Sequence, residues 1–184
     1  MNIRPLTETP LLADLAVKLL RDPKAPMAMS EAETRAVVSY MQLINMPQGT
    51  VVFREGDQSE SAHLLLLLSG EVVVEAGIAD GVPLSVLGPG NIIGEMGLLD
   101  GSPRSSTCTA ATPIQTAGLT RKALEQLIEQ HPKAGAKLMT ALSNRMSERL
   151  RAMADQLRMY ASITPNDAPT VRLTIPADLR NQRR

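Results

Sequence analysis

Between Thr50 and Gly118 the chain is written in short apolar runs that turn residues interrupt, and on either side of that stretch the apolar residues fall at helical spacing. The runs are Val51-Val52-Phe53, Leu64 to Leu68, Glu71 to Glu75, Leu84 to Leu87, Thr107 to Ala111 and Ile114 to Gly118. Between them stand Glu55-Gly56-Asp57, Ser69-Gly70 and Gly88-Pro89-Gly90. Runs this short, with turns roughly every 8–12 residues, predict an all-β sandwich or barrel. Phe53 is the only Phe and there is no Trp, so the core has to be built from Leu, Ile, Val, Ala and Met.

The flanks read differently. Leu11, Leu12, Leu15, Leu19 and Leu20 predict one helix within Leu6 to Leu20, broken at Asp22-Pro23-Lys24-Ala25-Pro26. Ser30, with Glu33 three residues on, is a capping box for a second helix. Val37, Val38, Met41 and Ile44 continue that helix to near Pro47-Gln48-Gly49. After the β-rich stretch, Thr120 is the N-cap expected for a helix over Arg121 to Gln130. Pro132 suits the first turn of a long helix reaching about Tyr160. Its stripe of Leu138, Leu142, Met146, Leu150, Met153, Leu157 and Tyr160 fits one face packed on the barrel or on a partner helix.

Composition removes several function classes. The formal net charge is zero, so no global field draws the chain to nucleic acid or an anionic membrane. The low aromatic content argues against a base-stacking platform for single strands. Cys108 is the lone cysteine, which excludes an internal disulfide and fits a reducing, cytoplasmic setting. No apolar run approaches the roughly 20 residues of a membrane helix. His63 and His131 are the only histidines, and neither has a partner at metal-ligand spacing. Gly88-x-Gly90 before Gly94 is not the dinucleotide fingerprint, and no Gly-Lys-Ser/Thr makes a P-loop. Catalytic residues, a metal and a cofactor are therefore not expected, and His63 and Cys108 read as barrel residues.

The stretch Gly94-Glu95-Met96-Gly97-Leu98-Leu99-Asp100-Gly101-Ser102-Pro103-Arg104-Ser105-Ser106-Thr107 carries the chemistry. Gly94 and Gly97 allow the backbone to approach a ligand closely. Glu95 to Leu99 can form one helical turn whose free N–H groups face an anion. Asp100-Gly101 and Ser102-Pro103 turn the chain back, which returns Arg104 to the same place for bidentate binding of phosphate oxygens. Ser105 and Ser106 add hydroxyl and backbone donors. Glu95 would repel a phosphate but accept from sugar hydroxyls. One cation, amide donors and one carboxylate suit a singly charged sugar phosphate.

This segment resembles the phosphate-binding cassette of cyclic nucleotide-binding domains, whose usual form is F-G-E-x-x-L followed by P-R-x-A. Gly49-Thr50-Val51-Val52-Phe53-Arg54-Glu55-Gly56-Asp57 is similar to that family's first strands and turn, and Leu68-Ser69-Gly70-Glu71-Val72 to a later turn. The resemblance spans about Ser30 to Tyr160. It departs at Ile93, where the family has Phe, and at Ser106, where Ala is common. Met153 and Ala154 stand where a relative carries adenine-reading hydroxyls.

The resemblance implies a mainly β fold with flanking helices: an eight-stranded jelly roll, preceded by N-terminal helices and followed by two C-terminal ones. The expected organisation is an N-terminal helical extension over 1–29, a cyclic nucleotide-binding domain over 30–160 and a flexible tail over 161–184, in which Val171 to Ile175 is a candidate strand. It implies that Glu95 holds the ribose 2′-hydroxyl and Arg104 the cyclic phosphate. Gly94, Met96, Gly97 and Ser105 would supply backbone donors. Met153 or Leu157 on the long helix would cap the base, although Met153 reads more readily as a core or dimer-packing residue. The ligand implied is cAMP, with cGMP as the alternative. The chain is then a non-enzymatic receptor whose long helix repacks on binding and signals to a partner protein, with a homodimer through that helix. The competing expectation is a ligand-independent dimeric scaffold. Family transcription factors continue into a helix-turn-helix domain, and Ala161 to Arg184 is too short for one, so direct sequence-specific DNA binding is not expected.

Overall fold

The structure, a computed structural model, describes residues 2–22, 25, 27–58, 63–75 and 83–163. The chain divides into two compact units, Met1–Leu142 and Ser143–Arg184. The candidate strand at Val171 to Ile175, the expected tail from 164 onward and part of the break at 22–26 lie outside the described residues, whereas 161–163 belong to the long helix.

The first unit holds nine strands among the described residues. They are β1 (Asn2–Pro5), β2 (Gln42–Met46), β3 (Val51–Phe53), β4 (His63–Ser69), β5 (Val72–Glu75), β6 (Pro83–Leu87), β7 (Ile92–Ile93), β8 (Thr107–Ala110) and β9 (Ile114–Thr120). Two antiparallel sheets result, in the orders β1-β2-β9-β4-β7 and β3-β8-β5-β6. β2 to β9 make the eight strands of the roll, and β1 adds one more at an edge.

Leu64 to Leu68 explain how the layers are joined. Side chains alternate along a strand. Leu64, Leu66 and Leu68 enter one apolar cluster, while Leu65 and Leu67 enter another. The second cluster, with Phe53, Val72, Ile93, Cys108 and Ile114, draws on strands of both sheets. The first collects residues from the helices α1 (Pro10–Leu20), α2 (Glu31–Ser39), α3 (Glu95–Asp100), α4 (Arg121–Gln130) and the start of α5 (Pro132–Ile163). A strand buried on both faces needs consecutive apolar residues, which accounts for five leucines in a row.

The local helix signals act as the sequence predicts. Ser30 Oγ accepts from the Glu33 amide at 3.2 Å, and the Glu33 carboxylate accepts from the Ser30 amide at 2.7 Å. Glu33 also receives Lys137 Nζ at 2.7 Å, tying α2 to the first turns of α5. The Lys137 ammonium and then the Ser30 amide pull the Glu33 carboxyl down to about 2. Thr120 Oγ1 caps α4 by accepting from the Ala123 amide at 3.2 Å, and Pro132 opens α5. Ser30→Ala removes an N-cap and should cost ~0.5–2 kcal/mol in chemical denaturation. Unchanged stability would show that the box contributes nothing.

Two helical expectations are corrected. α2 stops at Ser39, and Gln42–Met46 is a strand. Its register pairs it with β1 on one side and β9 on the other. Leu43 and Ile44 enter different clusters, the alternation of a strand. Their apolar spacing also fits a helix, and only the flanking strands decide between the two. The first helix is also shorter than expected. Asn2–Pro5 is strand, Leu6–Glu8 a 3-10 turn, and α1 begins at Pro10. Its buried face is Ala16, Val17 and Leu20, whereas Leu11 is 84% exposed.

Candidate functional site

β7 pairs with β4 through Leu65 and Leu66, after which the chain turns at once into α3. The pivot is Gly94, at φ +77°. A Cβ there would lie 2.6 Å from Arg104 Nη1, 2.8 Å from the His63 carbonyl oxygen and 2.8 Å from Phe53 Cζ. No L side chain fits that space, and few L residues adopt that φ. α3 ends at Asp100, whose carboxylate accepts from the Ser102 amide at 2.8 Å. That bond holds the carboxyl below its ordinary range, helped by the nearby charge of Arg121.

The return strand-like passage places Arg104. Its amide donates to the Asp57 carbonyl at 3.0 Å, and its carbonyl accepts from the Gly56 amide at 2.8 Å. These bonds pin the Arg104 backbone to the turn after β3. Its side chain then runs inward and is only 7% exposed. Nη1 donates to the Gly94 carbonyl at 2.9 Å and Nη2 to the His63 carbonyl at 3.1 Å. The guanidinium carbon stands 3.8 Å from the centre of the Phe53 ring. The Phe53 ring in turn lies 5.3 Å from the ring of His63, tilted by 51°.

The electrostatics follow from that enclosure. Burial lowers the Arg104 pKa, opposed by the nearby Cys108 and Glu95. A guanidinium nevertheless keeps its proton in proteins. Arg104 is thus a permanent cation with little water around it, held on two neutral carbonyls and an aromatic face. Such a charge attracts an anion more strongly than a hydrated surface arginine does. Two of its five N–H groups go to these carbonyls, and the Glu95 carboxylate acts on the same guanidinium.

The other residues singled out from the sequence are distributed as follows. Glu95, in the first turn of α3, is 7% exposed. Gly97 faces the return passage, where a Cβ would lie 3.1 Å from the Ser102 carbonyl oxygen and 3.4 Å from Arg104 Nη1. Met96 is exposed, and its sulfur lies 3.9 Å from Ser105 Oγ. Ser105 is exposed and Ser106 half-buried. Gly94, Glu95, Met96, Gly97, Arg104, Ser105 and Ser106 all belong to the first unit. Met153 belongs to the second and is 56% exposed. His63 opens β4, and Cys108 is buried in β8.

Sequence reasoning missed Phe53 as the platform under Arg104, although its being the only Phe was a usable signal. It also missed Arg121, whose Nη2 donates to the Gly97 carbonyl at 3.1 Å. Among the described residues no group of three or more His, Cys, Asp or Glu is placed to hold a metal. Nor is any described helix long and apolar enough to cross a membrane.

A family model described as the cyclic nucleotide-binding domain matches residues 43–131, from β2 through α4. Among solved structures, the chain is similar to a cyclic nucleotide-binding domain from Methylobacillus flagellatus KT, with 32% identity and a TM-score of 0.71. That likeness covers 89% of this chain and 86% of the other. The catabolite activator protein of Thermus thermophilus is similar at 29% identity and TM-score 0.63, over 78% of this chain and 63% of that one. The regulatory domain of Toxoplasma gondii PKA, crystallised with cAMP, shares the fold at 18% identity and TM-score 0.60, over 77% of this chain and 52% of its own. No match was found among curated proteins. With one relative alike over most of both chains, and the family model falling on the roll and on the segment that holds Arg104, this chain belongs to the cyclic nucleotide-binding domain family.

Proposed function

We propose that this protein is a receptor for a cyclic mononucleotide, with cAMP as its first ligand and cGMP as the alternative. The observation that carries the reading is the buried Arg104, a fixed cation held by the carbonyls of Gly94 and His63 over Phe53. A cyclic phosphate carries one negative charge, which one guanidinium balances. Glu95 then accepts from the ribose 2′-hydroxyl, and the amides of Met96, Gly97 and Ser105 face the phosphate. Met153 or Leu157 of α5 covers the base by apolar contact.

The receptor has no catalytic role. It acts by population shift: the nucleotide favours the arrangement in which the C-terminal helix packs on the roll, and a partner protein reads that arrangement. Leu150, Met153 and Leu157 are exposed along one stripe of α5, which supports association of two copies through this helix. The same stripe favours the second reading, a dimeric scaffold that needs no nucleotide. The cytoplasm is the setting in which either role would operate.

Calorimetric titration of the purified protein with cAMP and with cGMP, after removal of any co-purified nucleotide, tests the receptor reading. Saturable binding of one is expected, and the stronger heat assigns the base. No heat and no shift in melting temperature with either would transfer the assignment to the scaffold.

A further inference from the structure

Two routes lead from Arg104 to the first turn of α4, and they differ in stiffness. The first passes through the central sheet. Arg104 Nη2 donates to the His63 carbonyl, His63 stands opposite Thr120 in the β4–β9 ladder, and Thr120 caps α4. Those strands are paired on both sides within the five-stranded sheet, so this route is a fixed frame. The second passes through α3. Arg104 Nη1 donates to the Gly94 carbonyl, at the N-cap of α3. One turn later the Gly97 carbonyl accepts from Arg121 Nη2 at 3.1 Å, and Arg121 is the first residue of α4.

The Gly97 carbonyl has a second donor, the Gly101 amide at 3.2 Å. Arg121 therefore places its charge at the C-terminal end of α3, where a helix favours a cation. Asp100, at the same end, feels that charge, and a Cβ on Gly101 would sit 3.5 Å from Arg121 Nη2. The apolar side of the junction is also shared, because Leu98 of α3 lies in one cluster with Leu124 and Leu127 of α4. α3 is six residues long and lies between two arginines, Arg104 and Arg121.

We propose that Arg121 is the positioning residue that carries the state of the nucleotide site to α4, and through Pro132 to α5. Any shift of α3 against the sheet changes the distance between the Gly97 carbonyl and a helix start that Thr120 holds to the frame. Arg121 turns that shift into a displacement of the first turn of α4. The idea rests on the receptor reading, but the bond itself exists without ligand and can be tested so.

Amide hydrogen exchange on the full chain, native and R121Q, separates the two. In unliganded R121Q the amides of Gly101 and of the first turn of α4 should exchange roughly three- to tenfold faster, as expected for loss of one hydrogen bond to a partly buried carbonyl. With cAMP or cGMP, whichever the native protein binds, the native α4 should gain protection, while R121Q binds nucleotide and transmits little of it. R121K, which keeps a cationic donor, should fall between them. A purely structural role would lower the melting temperature of R121Q without changing nucleotide-induced protection of α4, and that result overturns the proposal. Equal exchange in all three unliganded proteins overturns it as well. Failure of the native chain to bind either nucleotide refutes the receptor reading instead, and leaves the unliganded comparison to decide whether Arg121 links the helices.

Discussion

Arg104→Ala is expected to weaken nucleotide binding by roughly 30- to 3,000-fold, corresponding to ~2–5 kcal/mol for loss of a buried charge-assisted contact. The size follows from burial. An exposed arginine facing a phosphate competes with water and salt, and its loss costs little. Arg104 is 7% exposed and already fixed by two carbonyls and an aromatic ring, so little ordering remains when an anion arrives. The variant also loses one donor to each of the Gly94 and His63 carbonyls, although the Gly94 carbonyl still accepts from the Leu98 amide at 3.3 Å, so some stability is lost as well. Titration should thus be made well below the melting midpoint of the variant, with the midpoint measured alongside. Arg104→Lys is the informative companion. It keeps a charge but has no planar fork to bridge two carbonyls and lie over Phe53, so it should bind with intermediate affinity. Near-native affinity in Arg104→Ala would remove this segment as the phosphate site.

Gly94→Ala should lower stability by ~2–4 kcal/mol, the sum of a positive φ forced on an L residue and overpacking against fixed neighbours. In a chain of this size that is a fall of roughly 5–15 °C in melting temperature. The His63 carbonyl cannot withdraw, because β4 is paired with β9 and β7. Phe53 is held in the cluster between the sheets. Arg104 Nη1 is then the atom that yields, so nucleotide binding is lost with stability. Gly56→Ala provides the control, since Gly56 has φ +80° with nothing within 4 Å. It incurs the conformational term alone, and the difference between the two variants isolates the steric one. Equal melting temperatures for the two would mean that the close approach of Arg104, His63 and Phe53 to Gly94 is wrong.

The helix limits and three strands that no apolar run announced, β1, β2 and β7, mark where local patterning falls short. Met41 and Ile44 continue the spacing of Val37 and Val38, and a three-four pattern cannot by itself be told from the end of a helix running into a strand. β7 is two residues long, Ile92 facing one cluster and Ile93 the other, which is too short to leave a periodic signal. Asn2–Pro5 has the composition of an ordinary terminus and becomes a strand only because Gln42–Met46 offers it an edge.

Features whose physics is local are legible in the chain. Ser30 with Glu33, Thr120 before Arg121 and Pro132 at a helix start act through bonds between residues within four positions of one another. The run from Gly94 to Arg104 is similarly local: a pivot, one short helix and a turn, which together return an arginine to its own starting point. The alternation of short apolar runs with turns was enough for a two-sheet fold. Folding settles the rest: Gln42–Met46 extends between two strands, Phe53 lies under Arg104 from 51 positions away, and Arg121 reaches back 24 positions to Gly97. Each of these depends on partners that folding brings together from distant parts of the chain, and no local preference encodes them.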